Sequence, residues 1–362
     1  MEEAEILQLR LQNQLLMPDA NRSVIEVVEW MGALQAQDYS MMKWGIGCRA
    51  SGSTDNQVEE ALNRGDLLRT HLLRPTWHVV AQKDIRWMLN LTAQRIRDKM
   101  KPRDKQLGLS EAIVKKSKSI LVKSLEDGIH KTKEEIDACW NRASIPTTEY
   151  RDAHLLMHAE LDGLVCSGRT IGNSRSYALM EERAPIKEMI SKEEALYQLA
   201  VRYFKSRWPA TLQDFAWWSG LTMGDVRKAV ESIRPEFQME TVGERHYILS
   251  NNRERPTVSG DIVHLIPAFD EYIIAYRDRS NTLLPAHFQK LVTNNGVFRP
   301  ALLLNGKVVG IWKKSGKGKD FSVELTPFRP INPEIQTKQQ KAITEYGRFL
   351  NGTNSFSPFS FK

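Results

Sequence analysis

The segment TLQDFAWWSGLTMGDVRKAVESI, residues 211–233, restricts the fold more than any other part of the sequence. Ala216, Gly220 and Val226 stand at the spacing of a helix-turn-helix. A small residue lets two helices cross closely, glycine takes the left-handed turn conformation, and the valine packs the second helix against the first. Thr222 is placed to cap that second helix. Any helix pair with a tight turn can give this short pattern, but it is typical of DNA-binding proteins.

A β-ribbon is predicted after this helix pair, and the same order occurs twice earlier in the chain. With Gly243 at its turn, the segment METVGERHYILS reads as the hairpin, or wing, of a winged-helix unit. Thr132 and Glu135 form a capping box that opens a helix in the preceding unit. In each unit, apolar residues at helical spacing precede a β-prone stretch. The three predicted ribbons are residues 67–80, 164–180 and 239–250.

After Pro256 the pattern changes from helical to alternating. Residues 260–276 and 297–325 alternate apolar and polar side chains, which predicts a small β-barrel or sheet. Two hairpin-turn signals lie in the second stretch, Asn305-Gly306 and Ser315-Gly316. The predicted fold class is α+β, mainly α, with three tandem winged-helix domains and a C-terminal small β-barrel. The predicted boundaries are 1–92, 93–185 and 186–256 for the winged helices, and 257–362 for the barrel with its final helix and tail.

The charge distribution favours a polyanionic partner without proving one. The net charge is +7 and the sequence pI is about 9.2. Between Arg95 and Lys123 ten basic residues face only three acids. This strip is either a solvated helix face or a set of phosphate contacts, and in isolation the two interpretations weigh equally. Beside a helix-turn-helix the phosphate interpretation is preferred, and Lys115, Lys116 and Lys118 are predicted DNA contacts.

Several other classes of protein are disfavoured by the sequence. The N-terminus lacks the layout of a signal peptide, and no apolar run approaches the ~18 residues of a membrane span. Cys48, Cys139 and Cys166 are odd in number and widely spaced, which suggests neither a disulfide framework nor a zinc site. His154 and His158 stand four apart with Glu160 near them, but no third ligand stands at a convincing position. We therefore expect a reduced cytoplasmic, nucleoid-associated protein with no metal or cofactor.

Four segments together carry a resemblance to a known family. LQAQ, RPTWHVV, FDEYIIAYRDRS and GVFRPALLLNGKVVG occur in this order, and the likeness runs from about residue 7 to residue 328. The chain resembles the AlkZ/YcaQ-type winged-helix DNA glycosylases. That resemblance implies three tandem winged helices and a small β-barrel around double-stranded DNA. It also implies that the family's catalytic motif falls on Gln35-Ala36-Gln37. Taken from pattern alone, both glutamines would be surface or capping residues.

The implied chemistry is that of water activation by amides. Hydrolysis of a glycosidic bond brings water to C1′ while positive charge develops on the sugar. An amide positions and polarises water but takes its proton poorly. Such a site suits purines alkylated at N7 or N3, because they are cationic and leave without an acid. The motif contains no lysine nucleophile, so we expect monofunctional hydrolysis. Asp38 is expected to serve as a helix cap or an ion-pair partner rather than as the base.

Two further segments supply candidate DNA contacts. Arg74, Thr76, Trp77 and His78 lie in or beside the first predicted ribbon. Thr76 and His78 share one strand face, and for Trp77 a half-buried structural role is as probable as contact with DNA. The second set comprises Tyr276, Arg277 and Arg279, which follow an apolar strand. They would grip phosphate or close the cleft, or else form ion pairs at the barrel rim with Asp270, Glu271 or Asp278.

Two other hypotheses remain beside the glycosylase. The chain could be a non-catalytic winged-helix DNA-binding protein such as a transcriptional regulator, with both glutamines structural. It could also be a structural nucleoid protein that uses only the basic strip. A regulator usually dimerises to read a palindrome, whereas three dissimilar units in one chain suit a monomer that wraps a duplex. The sequence has no heptad segment for dimerisation.

Overall fold

The computed structural model describes residues 2–17, 22–186, 188–252, 260–317, 320–330 and 332–352. Helices dominate the first two thirds of this part of the chain. The α-helices are α1 Glu3–Asn13, α2 Val24–Met31, α3 Tyr39–Gly47, α4 Asp55–Arg64, α5 Gln82–Gln106, α6 Glu111–Leu125, α7 Lys133–Arg142, α8 Arg151–Leu161, α9 Met180–Arg183, α10 Lys192–Arg207, α11 Leu212–Ser219, α12 Met223–Ser232, α13 Glu271–Ile274, α14 Phe288–Leu291 and α15 Gln336–Asn351.

The strands form four antiparallel sheets. They are β1 Leu34–Gln35, β2 Leu67–Leu72, β3 Thr76–Ala81, β4 Lys131–Thr132, β5 Val165–Ser167, β6 Ser176–Leu179, β7 Phe237–Val242, β8 Arg245–Ser250, β9 Val263–Ile266, β10 Ala301–Leu304, β11 Lys307–Lys317 and β12 Asp320–Pro327. The sheet orders are β1-β3-β2, β4-β6-β5, β7-β8 and β12-β11-β10-β9. Each of the three predicted ribbons is therefore an antiparallel strand pair. The assignment of the three units as winged helices stays a prediction.

Local capping signals fix where several helices begin. Thr132 accepts a hydrogen bond from the backbone of Glu135, and the Glu135 side chain accepts one from the Thr132 backbone, so the predicted capping box of α7 is confirmed. Ser23 with Glu26 does the same for α2. Asp38 accepts from the backbone amide of Met41 and caps α3, as expected. These bonds satisfy amides that have no partner inside the helix.

The helix-turn-helix prediction is confirmed in its local details. Gly220 ends α11 in the left-handed conformation with φ of 70°, and Thr222 caps α12. Val226 is fully buried against α11 and α10. Gly220 also lies against the β2–β3 turn, where a Cβ atom would stand 2.4 Å from the Leu73 carbonyl oxygen. The helix pair is thus docked on the first ribbon of the chain.

The C-terminal sheet differs from the predicted barrel. Its described strands form an open sheet with β12 and β9 at the two edges, and no closed barrel is found there. One face of the sheet packs under α15, where Tyr346 packs edge-on against Trp312 and Trp44. Because a helix covers that side, the strands have no need to close on themselves. The Asn305-Gly306 turn between β10 and β11 is confirmed.

The Ser315-Gly316 turn is wrong. Strand β11 continues through both residues, with Ser315 opposite Ser322 and Gly316 opposite Phe321 in β12. Residues 318–319, between β11 and β12, lie outside the described residues. Gly316 has φ of 95°, so the glycine bends the strand rather than ending it.

The apolar core joins the predicted units into one body. Its largest cluster combines Leu68 of β2, Leu161 of α8, Phe204 of α10 and Phe215 of α11. Helix α5 runs without interruption across position 92, the expected boundary between the first and second units. Among the described residues, no helix is both long and apolar enough to span a membrane.

Candidate active site

The segment Gln35-Ala36-Gln37 lies at the edge of the first sheet. Helix α2 ends at Met31, and Gln35 then enters the two-residue strand β1, directly opposite His78 of β3. The two glutamines therefore lie beyond the apolar helix rather than at its last turn. Gln35 is half-buried, whereas Gln37 is exposed.

Tertiary hydrogen bonds hold the backbone of this segment at three points. The Gln35 amide donates to Glu271 Oε1 at 3.1 Å, and the Ala36 amide donates to the Trp77 carbonyl oxygen at 2.7 Å. The Ala36 carbonyl oxygen accepts from Arg69 Nε at 2.9 Å. Since these partners come from three distant elements, the position of the motif is set by the tertiary structure.

Glu271 is the anchor of this arrangement. It is 1% exposed and begins α13. Its Oε2 accepts from Arg207 Nη2 at 2.7 Å and from Trp218 Nε1 at 2.9 Å, while Oε1 accepts from Gln35. Arg207 is fully buried and also donates to carbonyl oxygens at the end of α2. The ion pair thus ties α10, α11 and α13 to the start of the motif.

A row of polar side chains crosses the sheet beside Gln35. His78 is paired with Gln35 on one side and with Thr70 on the other, so the three share one face. Gln35 Oε1, His78 Nε2 and Thr70 Oγ1 are buried and find no hydrogen-bond partner among the described residues, and Thr76 Oγ1 on the same face finds none either. Buried polar atoms nearly always have partners, so this row is suited to hydrogen-bonding a ligand or water.

His78 is a neutral acceptor in this row. Its Nδ1 lies 3.0 Å from the carbonyl oxygen of Thr76, so Nδ1 carries the proton and Nε2 keeps its lone pair. Burial, and then the charge of Arg74, lower the pKa of His78 to about 3. The imidazole therefore stays uncharged across the physiological pH range.

Gln37 stands where two surface cavities adjoin. One is about 340 Å³ and is also lined by Trp77 and Glu160; the other is about 820 Å³ and is also lined by Asp38 and Lys43. Residues shared by both cavities connect them into one cleft; they are Gln37, Tyr39, Thr170, Asn173 and Arg175. Gln35 contributes to neither, so the structure places one glutamine in the polar row and the other in the cleft.

Trp77 lines the smaller cavity and is in contact with Arg69 and His71. The Arg69 guanidinium lies 4.2 Å from the ring centroid, and the His71 ring lies 4.3 Å from it. His71 Nδ1 hydrogen-bonds the buried carboxylate of Glu160. Burial lowers the pKa of Arg69 to about 10, so the guanidinium keeps its charge at neutral pH. The tryptophan is half-buried, as its structural interpretation required, yet it lines an open cavity.

Arg74 and Arg279 flank an exposed aromatic ring. Both guanidinium carbons lie within 6 Å of the Trp217 ring centroid, at 5.7 Å and 5.5 Å. Arg74 Nε and Nη2 are buried without a hydrogen-bond partner among the described residues. Burial is the main cause that lowers the pKa of each arginine. The three acids considered as partners of Arg279 pair elsewhere: Asp270 with Arg49, Glu271 with Arg207 and Asp278 with Arg245.

Tyr276 corrects another expectation. It was predicted to grip phosphate, but it is 1% exposed, and its hydroxyl donates to the Arg207 carbonyl oxygen and accepts from Gln14 Nε2. It therefore cannot reach a DNA phosphate in this structure. The preceding residues form helix α13 rather than the expected apolar strand. Arg277 is exposed.

The basic strip is partly neutralised. Lys118 pairs with Asp162, and Lys116 donates to the Ala143 carbonyl oxygen at 2.7 Å. Lys115 is exposed and lines a groove of about 910 Å³ between α5 and α6. Further basic residues line this groove, namely Arg97, Lys101 and Lys105.

His154 and His158 share a carboxylate rather than a metal. His154 Nδ1 and His158 Nε2 lie 2.9 and 3.0 Å from the two oxygens of Asp104. The part of the chain that the structure describes contains no group of three or more His, Cys, Asp or Glu suited to hold a metal ion.

Three residues of the site were missed by reasoning from the sequence. Glu271 was considered only as a rim ion-pair partner, Arg69 lay inside a β-prone stretch, and Glu160 was noted only beside the two histidines. Each of the three is a charged residue inside an apolar stretch of sequence. Such a residue is almost never fully buried unless it is paired, so its position was a signal of a buried, partnered charge.

Comparisons with known proteins are consistent across sequence and structure. A family model described as DNA glycosylase AlkZ-like matches residues 28–349. An interstrand DNA cross-link repair glycosylase of Streptomyces sahachiroi is 21% identical over 364 residues, with 94% of this chain and 93% of that protein covered. The structure of the Streptomyces sahachiroi DNA glycosylase AlkZ superposes with a TM-score of 0.82 at 19% identity, covering 100% of both chains. The fold is thus a mixed helix and strand fold similar to that structure.

Proposed function

Because the chain belongs to the AlkZ-like family of DNA glycosylases, and is thus a DNA-binding repair enzyme, we propose that it hydrolyses the N-glycosidic bond of cationic purines alkylated at N7 or N3. The observation that carries this proposal is the position of Gln37. Its amide is exposed at the junction of two cavities, on a backbone held by Trp77 and Arg69. An exposed amide on a firmly held backbone at an open cleft suits the positioning of water against a bound sugar.

Gln35 serves a second role in this proposal. It polarises the site from the polar row, where neutral His78 offers a lone pair at Nε2. Neither amide is a strong base or acid. The enzyme therefore acts on bases that already carry positive charge and leaves neutral lesions nearly untouched. Without an amine nucleophile in the motif, the abasic product is not cleaved by the protein.

DNA contacts are proposed on two surfaces. Arg74 and Arg279 grip phosphates around the exposed Trp217, with the exposed Arg277 as a third contact. Lys115 and Lys118 contact the backbone from the groove between α5 and α6, and Lys116 contacts it from the exposed face of α6. Thr76, Trp77 and His78 act beside the lesion. The three antiparallel ribbons act as the wings of tandem winged helices along one duplex.

The substrate range extends to bulky adducts and cross-links in this proposal. The cleft around Gln37 is open, with cavities of about 340 and 820 Å³ in continuity. A cross-linked base remains tethered to the opposite strand, so it can be handled only in a site that is open to solvent. The name of the Streptomyces sahachiroi relative refers to cross-link repair, and we extend that activity to this chain.

The test uses duplex DNA with a single N7-methylguanine. Alkaline cleavage of the strand at the abasic site reports release of the base. A second duplex that contains uracil, a neutral lesion, is assayed alongside. We expect Gln37→Ala to lower the single-turnover rate by about 100-fold, the loss typical of one positioned polar group, while mobility-shift affinity for the duplex is retained. Gln336→Ala changes an exposed glutamine on α15 and serves as the matched control.

Three results would contradict the proposal. The first is absence of product from several alkylated duplexes. The second is cleavage of the uracil duplex at a comparable rate. The third is strand cleavage without alkali, since that requires a lyase step.

A further inference from the structure

We propose that Glu160 accepts the proton of the attacking water, with His71 as the residue that positions its carboxylate. This inference rests on the proposed hydrolysis at Gln37. It assigns a base to a site whose sequence motif contains none, because an amide takes up a proton poorly.

Glu160 shares a cavity with Gln37. Glu160 belongs to α8 and Gln37 to the segment after β1, yet both line the same cavity of about 340 Å³. The Glu160 side chain is only 1% exposed, yet it lines this cavity. Another carboxylate of this cavity, Glu134, is exposed on α7. Glu160 is therefore the carboxylate that is both withdrawn from bulk water and accessible from the reaction cleft.

The second argument is the hydrogen bonding of the carboxylate. His71 Nδ1 donates to Glu160 Oε2, and the His71 ring is itself held against Trp77 at 4.3 Å. Among the described residues no hydrogen bond engages Glu160 Oε1. One oxygen is thus fixed and the other is free to meet a water molecule, an arrangement of oriented base and orienting partner that recurs in hydrolases.

The third argument is charge. Desolvating a carboxylate is costly unless a partner compensates it, and a buried ion pair adds little to stability compared with apolar packing. The groups that interact with Glu160 come from neighbouring strands: Arg69 and His71 of β2, Cys166 of β5 and Tyr177 of β6. Lys133 and Arg175 line the same cavity, and Lys133 is paired with Asp137 and Asp152. Arg97 of α5 and Lys118 of α6 are paired with Asp162 instead. Arg69 thus places a positive charge, and His71 a hydrogen bond, beside the buried carboxylate.

The proposed step balances as follows. The water oxygen bonds to C1′ while the C1′–N9 bond breaks. The electron pair of the C1′–N9 bond passes to the cationic purine, which leaves as a neutral base. One water proton moves to Glu160 and is later lost to solvent. Gln37 orients the water by hydrogen bonds and exchanges no proton.

The test measures single-turnover release of N7-methylguanine from duplex DNA at neutral pH, with and without added formate. Glu160→Gln and Glu160→Ala should each lower the rate by about 100-fold or more, with DNA affinity and thermal transition retained. Formate is a small carboxylate that can occupy the space left by the side chain, so it should restore part of the lost rate to Glu160→Ala and leave the wild-type rate unchanged. Glu181→Gln removes an exposed carboxylate that pairs with Arg86 and should behave as wild type.

The outcomes separate this inference from the function on which it rests. If the wild type releases no base, the proposed function fails. If the wild type is active and Glu160→Gln excises at the wild-type rate, Glu160 is not the base. A slower Glu160→Ala whose rate formate does not restore would show a structural role and would overturn the proposal.

Discussion

Replacing Glu271 by glutamine removes the charge that holds the motif in place, with little change in volume. The carboxylate accepts from three donors, namely Arg207 Nη2, Trp218 Nε1 and the Gln35 amide. Glutamine has one acceptor oxygen and presents an NH₂ group to a donor on its other side. It also leaves the fully buried Arg207 without a counter-charge.

The expected cost follows from that burial. Breaking a buried pair by removing one partner costs about 3–5 kcal/mol. For 362 residues at about 2.1 cal/mol/K per residue, the unfolding entropy is about 0.76 kcal/mol/K. A loss of about 4 kcal/mol therefore lowers Tm by about 5 °C. Asp278→Asn, which breaks a half-exposed pair with Arg245, should cost under about 1 kcal/mol.

Activity supplies the second readout for Glu271. Because the backbone N–H of Gln35 loses its acceptor, the motif shifts. A displacement of about 1 Å can lower the rate about 100-fold. The double variant Arg207→Met/Glu271→Leu has no buried charge and should be more stable than Glu271→Gln, yet remain slow. Calorimetry together with single-turnover excision tests this. A Tm within 2 °C of wild type for Glu271→Gln, or a double variant less stable than the single one, would refute the reasoning.

Two further predictions concern the helix-turn-helix and the polar row. Gly220→Ala should cost about 3 kcal/mol in urea unfolding, against about 1 kcal/mol for Gly243→Ala. Both glycines have positive φ, but a Cβ at Gly220 would meet the Leu73 carbonyl oxygen, whereas at Gly243 the space is open; equal costs would contradict this. The pKa of His78 is lowered to about 3, so between about pH 6.5 and pH 3 only the unfolded chain takes up this proton. The free energy of unfolding should therefore fall as the pH drops, by up to about 1.4 kcal/mol per pH unit. Urea unfolding at a series of pH values measures this slope, and His78→Asn should remove the share that His78 contributes. The same slope in the variant and the wild type would show that His78 is charged in the folded protein.

Local chemistry made much of the fold predictable. The capping box of Thr132, the cap at Thr222 and the left-handed turn at Gly220 each depend on residues within four positions. Such signals act in any chain with that local sequence. The same reasoning failed at Ser315-Gly316, since a glycine in an alternating stretch fits a bent strand as well as a turn. Only pairing with β12 distinguishes the two.

The barrel prediction failed for a related reason. Alternation shows that one face of each strand is buried, but not what buries it. Here α15 covers the sheet, with Tyr346 against Trp312. A helix near the C-terminus and a closing strand would satisfy the same alternation.

The sequence by itself determined the helix-turn-helix, the ribbons, the basic character and, through resemblance, the positions Gln35 and Gln37. The tertiary structure decided what surrounds those glutamines. The Gln35 amide meets Glu271, 236 positions along the chain, and Glu160 enters the cavity of Gln37 from another helix. No local pattern encodes such meetings, because they depend on how helices and sheets pack around a common core. The sequence determines which side chains the motif contains. Only folding brings Glu271, which holds the motif, and Glu160, the proposed base, next to it.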